Sequence, residues 1–130
     1  CKILNIEAMT MIDMVRREIL PAVSLYSGKV ADAALKKKSL GIDACTGYEE
    51  KLVGKLSSLT SAIDSRCDAL ETALYEIKAY DDLYRLACGY RDRVFIAMQE
   101  LRAAVDEAES VTDARAWPFP TYGDLLFGVR

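Results

Sequence analysis

The chain has 130 residues, 52% of them hydrophobic and 28% charged, with three prolines and seven glycines. One domain of this length hides roughly two-thirds of its unfolded surface without metal or disulfide staples, and the composition excludes both a disordered chain and a loop-rich all-β fold. A net charge of −3 argues against nucleic acid as a partner, and the absence of histidine removes Ser-His and Cys-His nucleophilic catalysis together with the commonest zinc sites.

The chain opens on Cys1 rather than Met, with Ile3, Leu4, Ile6, Met9, Met11, Ile12 and Met14 close behind. Asn5, Glu7, Thr10 and Asp13 interrupt these residues, so they form neither a signal peptide nor the ~20-residue apolar run of a membrane helix. The expectation is a fragment of a longer protein, starting inside a helix. Across residues 2–38 a helical stripe runs through Leu4, Ala8, Met11, Val15, Ala22, Tyr26, Val30 and Ala33, widened by Ile12, Ile19 and Val23. Pro21 lacks an N–H and predicts a kink. Lys36, Lys37 and Lys38 place cations at the negative end of the helix dipole, and Gly41 is the expected C-terminal cap.

Thr46 followed by Glu49 reads as a capping box opening a second helix over residues 47–79, with its stripe at Leu52, Leu56, Leu59, Ile63, Cys67, Leu70, Leu74 and Ile77. A turn near residues 80–82 separates it from a third helix over 82–109, carrying Leu83, Ala87, Tyr90, Val94, Ala97, Leu101, Ala104 and Ala108. An unbroken helix through both would be about 95 Å long, more than a compact domain covers. The predicted fold is all-α, one domain over residues 1–130. It is an up-down-up antiparallel bundle of three long helices with an extended aromatic and proline-rich C-terminal tail at 113–130.

Charge is sorted along the chain. Residues 1–40 carry seven basic and four acidic groups, residues 41–80 four and seven, and residues 81–130 six and nine. Such sorting favours one helix pairing over others, although each exposed pair contributes only ~0.5 kcal/mol. In the tail, Pro118 and Pro120 force an extended path and present Trp117 and Phe119 as anchors, with Tyr122 beside them. Thr121 and Asp124 then cap a last turn holding Leu125, Leu126 and Phe127. A flexible tail would be polar; this one is expected to dock, either on its own bundle or on another surface.

The tail Trp117-Pro118-Phe119-Pro120-Thr121-Tyr122-Gly123-Asp124-Leu125-Leu126-Phe127 resembles the closing signature of the type III glutamine synthetases. Asn5-Ile6-Glu7-Ala8, Thr10-Met11 and Ile19-Leu20-Pro21-Ala22-Val23 are similar to the helix entering that family's C-terminal region. Tyr90-Arg91-Asp92-Arg93-Val94, Ala97-Met98 and Leu101-Arg102 sit where the family carries a comparable run. The resemblance implies a parent enzyme that joins ammonia to glutamate with ATP and a divalent metal, Mg or Mn, and assembles as a double-ring oligomer in the cytoplasm. It places the ATP and metal ligands in a catalytic domain upstream. It therefore assigns this chain no catalytic, cofactor-binding or metal-ligating residue, and makes that domain and neighbouring subunits its partners, with no membrane and no nucleic acid.

The residues themselves give the same answer. Glu49-Glu50 and Asp81-Asp82 are adjacent pairs that point in different directions on a helix, and these four, like Asp106, Glu107 and Glu109, read as solvated helix face. Gly47, Gly54 and Gly89 form no phosphate loop, and Gly54 and Gly89 are expected to allow close helix packing. Tyr75, Tyr80, Tyr84 and Tyr90 read as core or interface packing rather than a base-stacking platform. Cys1, Cys45, Cys67 and Cys88 lack metal spacing, and Cys67 and Cys88 read as small buried hydrophobes in a reducing compartment. The function so read is a structural and assembly domain. The alternative is a free-standing helical adaptor, whose gene would begin with a methionine near residue 1.

Overall fold

A computed structural model of the chain describes residues 2–77 and 90–119. Helix α1 spans Lys2–Met14, a π turn follows at Val15–Ile19, and α2 continues over Leu20–Ser39. After a short connection α3 runs from Gly47 to Ile77; a second π turn at Tyr90–Val94 leads into α4, Phe95–Val111. The turn expected at 80–82, together with Leu83 and Ala87, lies outside the described residues.

The predicted first helix thus has three parts. Pro21 sits in the first turn of α2, and the helix widens just before it. The Leu20 N–H donates five residues back to the Val15 carbonyl. A proline removes one hydrogen bond and crowds the carbonyl four residues earlier, and the looser π winding relieves that conflict without ending the helix. The extra residue also shifts the stripe. Ala8, Ile12, Val15, Ile19, Val23 and Ala34 are buried, while Met11, Ala22, Tyr26 and Val30 are half-buried and Ala33 is exposed. Ile12, Ile19 and Val23, expected to widen the stripe, are buried as read; beyond them Ala34 is buried where Ala33 was expected, a slip of one residue.

Gly41 takes φ +74°, the left-handed conformation that closes a helix. The capping box is not formed as predicted. The Thr46 hydroxyl pairs with the Glu50 carboxylate at 2.8 Å, and the Glu50 N–H donates to the Thr46 carbonyl at 2.9 Å. Glu49 turns away to the Lys37 ammonium. The ammonium offers the carboxylate a full opposite charge where a backbone amide offers only a dipole, so the lysine takes the carboxylate. Gly54 departs from expectation too: a Cβ there would meet nothing within 4 Å, so its lack of a side chain does not serve close packing.

On α3, Leu56, Leu59, Ile63, Cys67, Leu70, Ala73 and Leu74 are buried; on α4, Leu101, Ala104 and Ala108 are buried, with Val94 just before them. These merge with the α1–α2 stripe into one cluster, and α3 packs against both α2 and α4. Ion pairs set the chain sense. Arg16 reaches Glu71 at 2.7 Å and Asp68 at 2.8 Å, while Lys37 and Lys38 reach Glu49 and Glu50. Numbering therefore falls on α3 as it rises along α1 and α2. Between α3 and α4, Arg93 pairs with Glu76, and Arg66 donates to the Glu100 carbonyl at 2.8 Å, again in opposite senses. Among the described residues, no helix is long and apolar enough to cross a membrane.

The buried stripe predicts the effect of truncation. Leu101→Ala and Leu59→Ala should each destabilise the chain by about 2–4 kcal/mol in urea unfolding, because burial is forfeited and a residual cavity is left. Leu35→Ala, at an exposed position of α2, should stay within about 0.5 kcal/mol of wild type. Equal effects at all three would show that the core face is wrongly assigned.

Candidate functional site

The chain leaves α4 at Thr112, whose backbone is extended and whose buried hydroxyl donates to the Ala108 carbonyl at 2.7 Å. Asp113 then organises a turn. Its Oδ1 accepts the Arg115 N–H at 2.8 Å, and its carbonyl accepts the N–H groups of Ala116 at 2.9 Å and Trp117 at 3.1 Å. The side chain thus imitates a backbone turn. The Arg115 guanidinium folds onto the same carboxylate at 3.2 Å. That guanidinium, with help from the Arg115 amide, holds the Asp113 carboxyl below the usual carboxylate range.

The turn directs the following aromatic residues to the helices. Trp117 is 3% exposed and part of the core cluster, and Phe119 is half-buried against that cluster. Of the anchors read from the sequence, these two meet the bundle's own core. Tyr122, Leu125, Leu126 and Phe127 lie outside the described residues.

Beside the turn is an open cleft of about 450 Å³ between α2 and the start of α3, its walls including Tyr26, Tyr48, Lys29, Glu49 and Arg115. Burial, then the neighbouring Tyr48 and Asp113, pushes the Tyr26 phenol above its ordinary value. Glu49 is 7% exposed. Its hydrogen bond from Lys37, and secondarily a backbone amide, lowers its carboxyl pKa. This corrects the expectation that Glu49 belongs to a solvated face. The terminal lysines likewise do more than face a helix dipole: Lys36 pairs with Asp32 in its own helix, while Lys37 and Lys38 cross to α3. Together, these charges clasp the end of α2 to the start of α3.

The remaining candidates are dispersed. Asp106 and Glu107 are exposed and Glu109 is half-buried, while Asp81, Asp82, Tyr80 and Tyr84 lie outside the described residues. Tyr75 stands in solvent rather than in the core. Cys67 is buried and its thiol pKa is pushed up by that burial, which suppresses the reactive thiolate. Among the described residues, no three Cys, Asp or Glu side chains gather where they could share a metal ion. Sequence reasoning missed the Arg16 fork onto Asp68 and Glu71, the Lys37–Glu49 pair and the Asp113 turn. The opposite charge balances of residues 1–40 and 41–80 were the signal for the first two; an Asp two residues before Arg115 was the signal for the third.

The family model for the glutamine synthetase C-terminal domain matches residues 1–38, the stretch that forms α1, the π turn and nearly all of α2. A glutamine synthetase from Butyrivibrio fibrisolvens is 28% identical over 143 residues, an alignment covering 99% of this chain and 18% of the relative. A type-3 glutamine synthetase from Dictyostelium discoideum is 24% identical over 131 residues, covering 97% of this chain and 18% of that protein. No solved structure matches. The resemblance read from the sequence therefore holds, over the first helix in the family model and end to end in the two relatives. The chain spans 18% of the length of either relative.

Two measurements probe this region. Trp117 is the only tryptophan, so its emission should be blue-shifted and shielded from acrylamide, and Asp113→Ala should move it toward the red by loosening the turn. Wild-type emission already that of free tryptophan would contradict the burial. The Glu49 carboxyl pKa lies below its unfolded value, so its contribution to stability is fully present above about pH 4.3 and is lost as pH falls through the folded pKa. The stability gap between wild type and Glu49→Gln should accordingly narrow in acid and stay constant from about pH 6 to 8; a gap that widens on acidification would reverse that sign.

Proposed function

We propose that this chain is the C-terminal structural and assembly domain of a type III glutamine synthetase, a cytoplasmic enzyme of nitrogen assimilation that joins ammonia to glutamate using ATP. The end-to-end alignment carries the reading: 99% and 97% of the chain pair with two glutamine synthetases, within 18% of their length. In this reading the three helices form an up-down-up bundle with the tail at 113–130 docked against it or a neighbour. ATP and divalent Mg or Mn are held by a catalytic domain upstream. The chain's partners are that domain and adjacent subunits of a ring oligomer, and the chain itself contributes no catalytic group.

The use of charge supports a structural role. Arg16, Lys37 and Arg93 each reach across to a carboxylate on α3, so these cations tie helices together instead of converging on a cavity. A catalytic constellation needs titratable groups held around one reacting atom.

The parent protein supplies the test. Given glutamate, ammonia, ATP and Mg, it should form glutamine with release of ADP and phosphate; failure to do so removes the proposed activity. Deleting residues 113–130 should lower the parent's Tm or its oligomeric order while leaving the KM for glutamate unchanged. A raised KM with intact assembly would instead put the tail in the substrate site.

A further inference from the structure

Among the described residues, two helices leave apolar side chains uncovered. On α1, Ile6 is 63% exposed, and on α4 Phe95 is 51% exposed. Together with Met11, Met14 and Met98 they line an open groove of about 580 Å³ between the two helices. Exposed Glu7 and Arg102, one of each charge, flank this apolar floor. An apolar centre with a charged margin is the anatomy of a contact surface, and flexible methionines let it fit an irregular partner.

We infer that this groove seats an apolar segment of the same polypeptide from the part preceding residue 1, an assignment that rests on reading the chain as the C-terminal portion of a longer enzyme. Two observations select that occupant. The relatives are more than five times the length of this chain, and under that reading most of the remainder is joined at its first residue. Ile6 lies one helical turn beyond Lys2, about 6 Å along the axis, so a preceding segment reaches the groove at high effective concentration.

Residues 120–130 of the tail lie outside the described residues, and the crosslinks described below tell them apart from a preceding segment. A second copy would bear the full cost of association on a small surface.

The test uses the full-length protein with a benzophenone photocrosslinker in place of Phe95 and, as a control, in place of the exposed Tyr75. Mixing isotopically heavy and light chains separates contacts within a chain from contacts between chains. Crosslinks from position 95 to peptides preceding residue 1 of the same chain are expected. Adding Ile6→Lys, at an exposed position that leaves the buried core intact, should lower their yield about tenfold, equivalent to about 1.4 kcal/mol of docking free energy, with the far-UV circular dichroism unchanged. Crosslinks to residues 120–130, to a second chain, or at no more than the control level would each overturn the assignment. A glutamine-forming assay on the same protein keeps the two readings apart. Activity without those crosslinks removes the groove and spares the proposed function; crosslinks without activity do the reverse.

Discussion

A helix of 31 residues cannot cover its own apolar stripe, and that constraint organises the rest of the molecule. Leu56, Ile63, Cys67 and Leu70 on α3 are fully buried, and they are buried only because α2 and α4 close over them on two sides. Most of the stability of such helices comes from tertiary packing rather than intrinsic propensity. The other features are then conditions on that closure. The π turn at Val15–Ile19 keeps the first helix continuous past Pro21 and turns Val23 inward, so α1 and α2 present one face to α3 instead of two unrelated ones.

Charge adds register to what apolar area supplies without direction. A leucine stripe tolerates sliding by a turn, because the next leucine occupies much the same place. The Arg16 fork onto Asp68 and Glu71 near one end and the Lys37–Glu49 pair at the other do not tolerate it. A slip of one turn would separate both sets by about 5 Å. Exposed pairs are individually weak, so their role here is discrimination between alignments of similar apolar burial. The buried Glu49 is the strictest of them, because a carboxylate removed from water without its cation is costly.

The helical periods were legible because burial at steps of three and four leaves a direct imprint on residue choice. Leu56, Leu59, Ile63, Leu70 and Leu101 lie on the faces that the pattern alone assigns. Beyond Pro21 Val23 was legible but the phase farther along was not, since a 3.6-residue period carries no sign of an inserted residue; Ala33 yielded to Ala34 for that reason. Thr46 and Glu49 fit a capping motif equally well whether or not Lys37 stands nearby, and Lys37 is brought there by the fold. Of the site, Trp117 and Phe119 announced themselves by aromatic character, whereas the Asp113 turn that aims them depends on two backbone bonds and one side-chain bond that composition does not reveal.

The described residues treat their apolar surface in two ways, and the difference follows from the order of the chain. At the C-terminal end of α4 the chain has residues left after the helix stops. Asp113 folds them back, so that Trp117 enters the core cluster the helices share. Elsewhere, Ile6 and Met14 of α1 and Phe95 at the start of α4 remain open. Contiguous apolar area of that kind marks a contact made with something else. Among the described residues, apolar surface is therefore covered after α4 and left open beside α1.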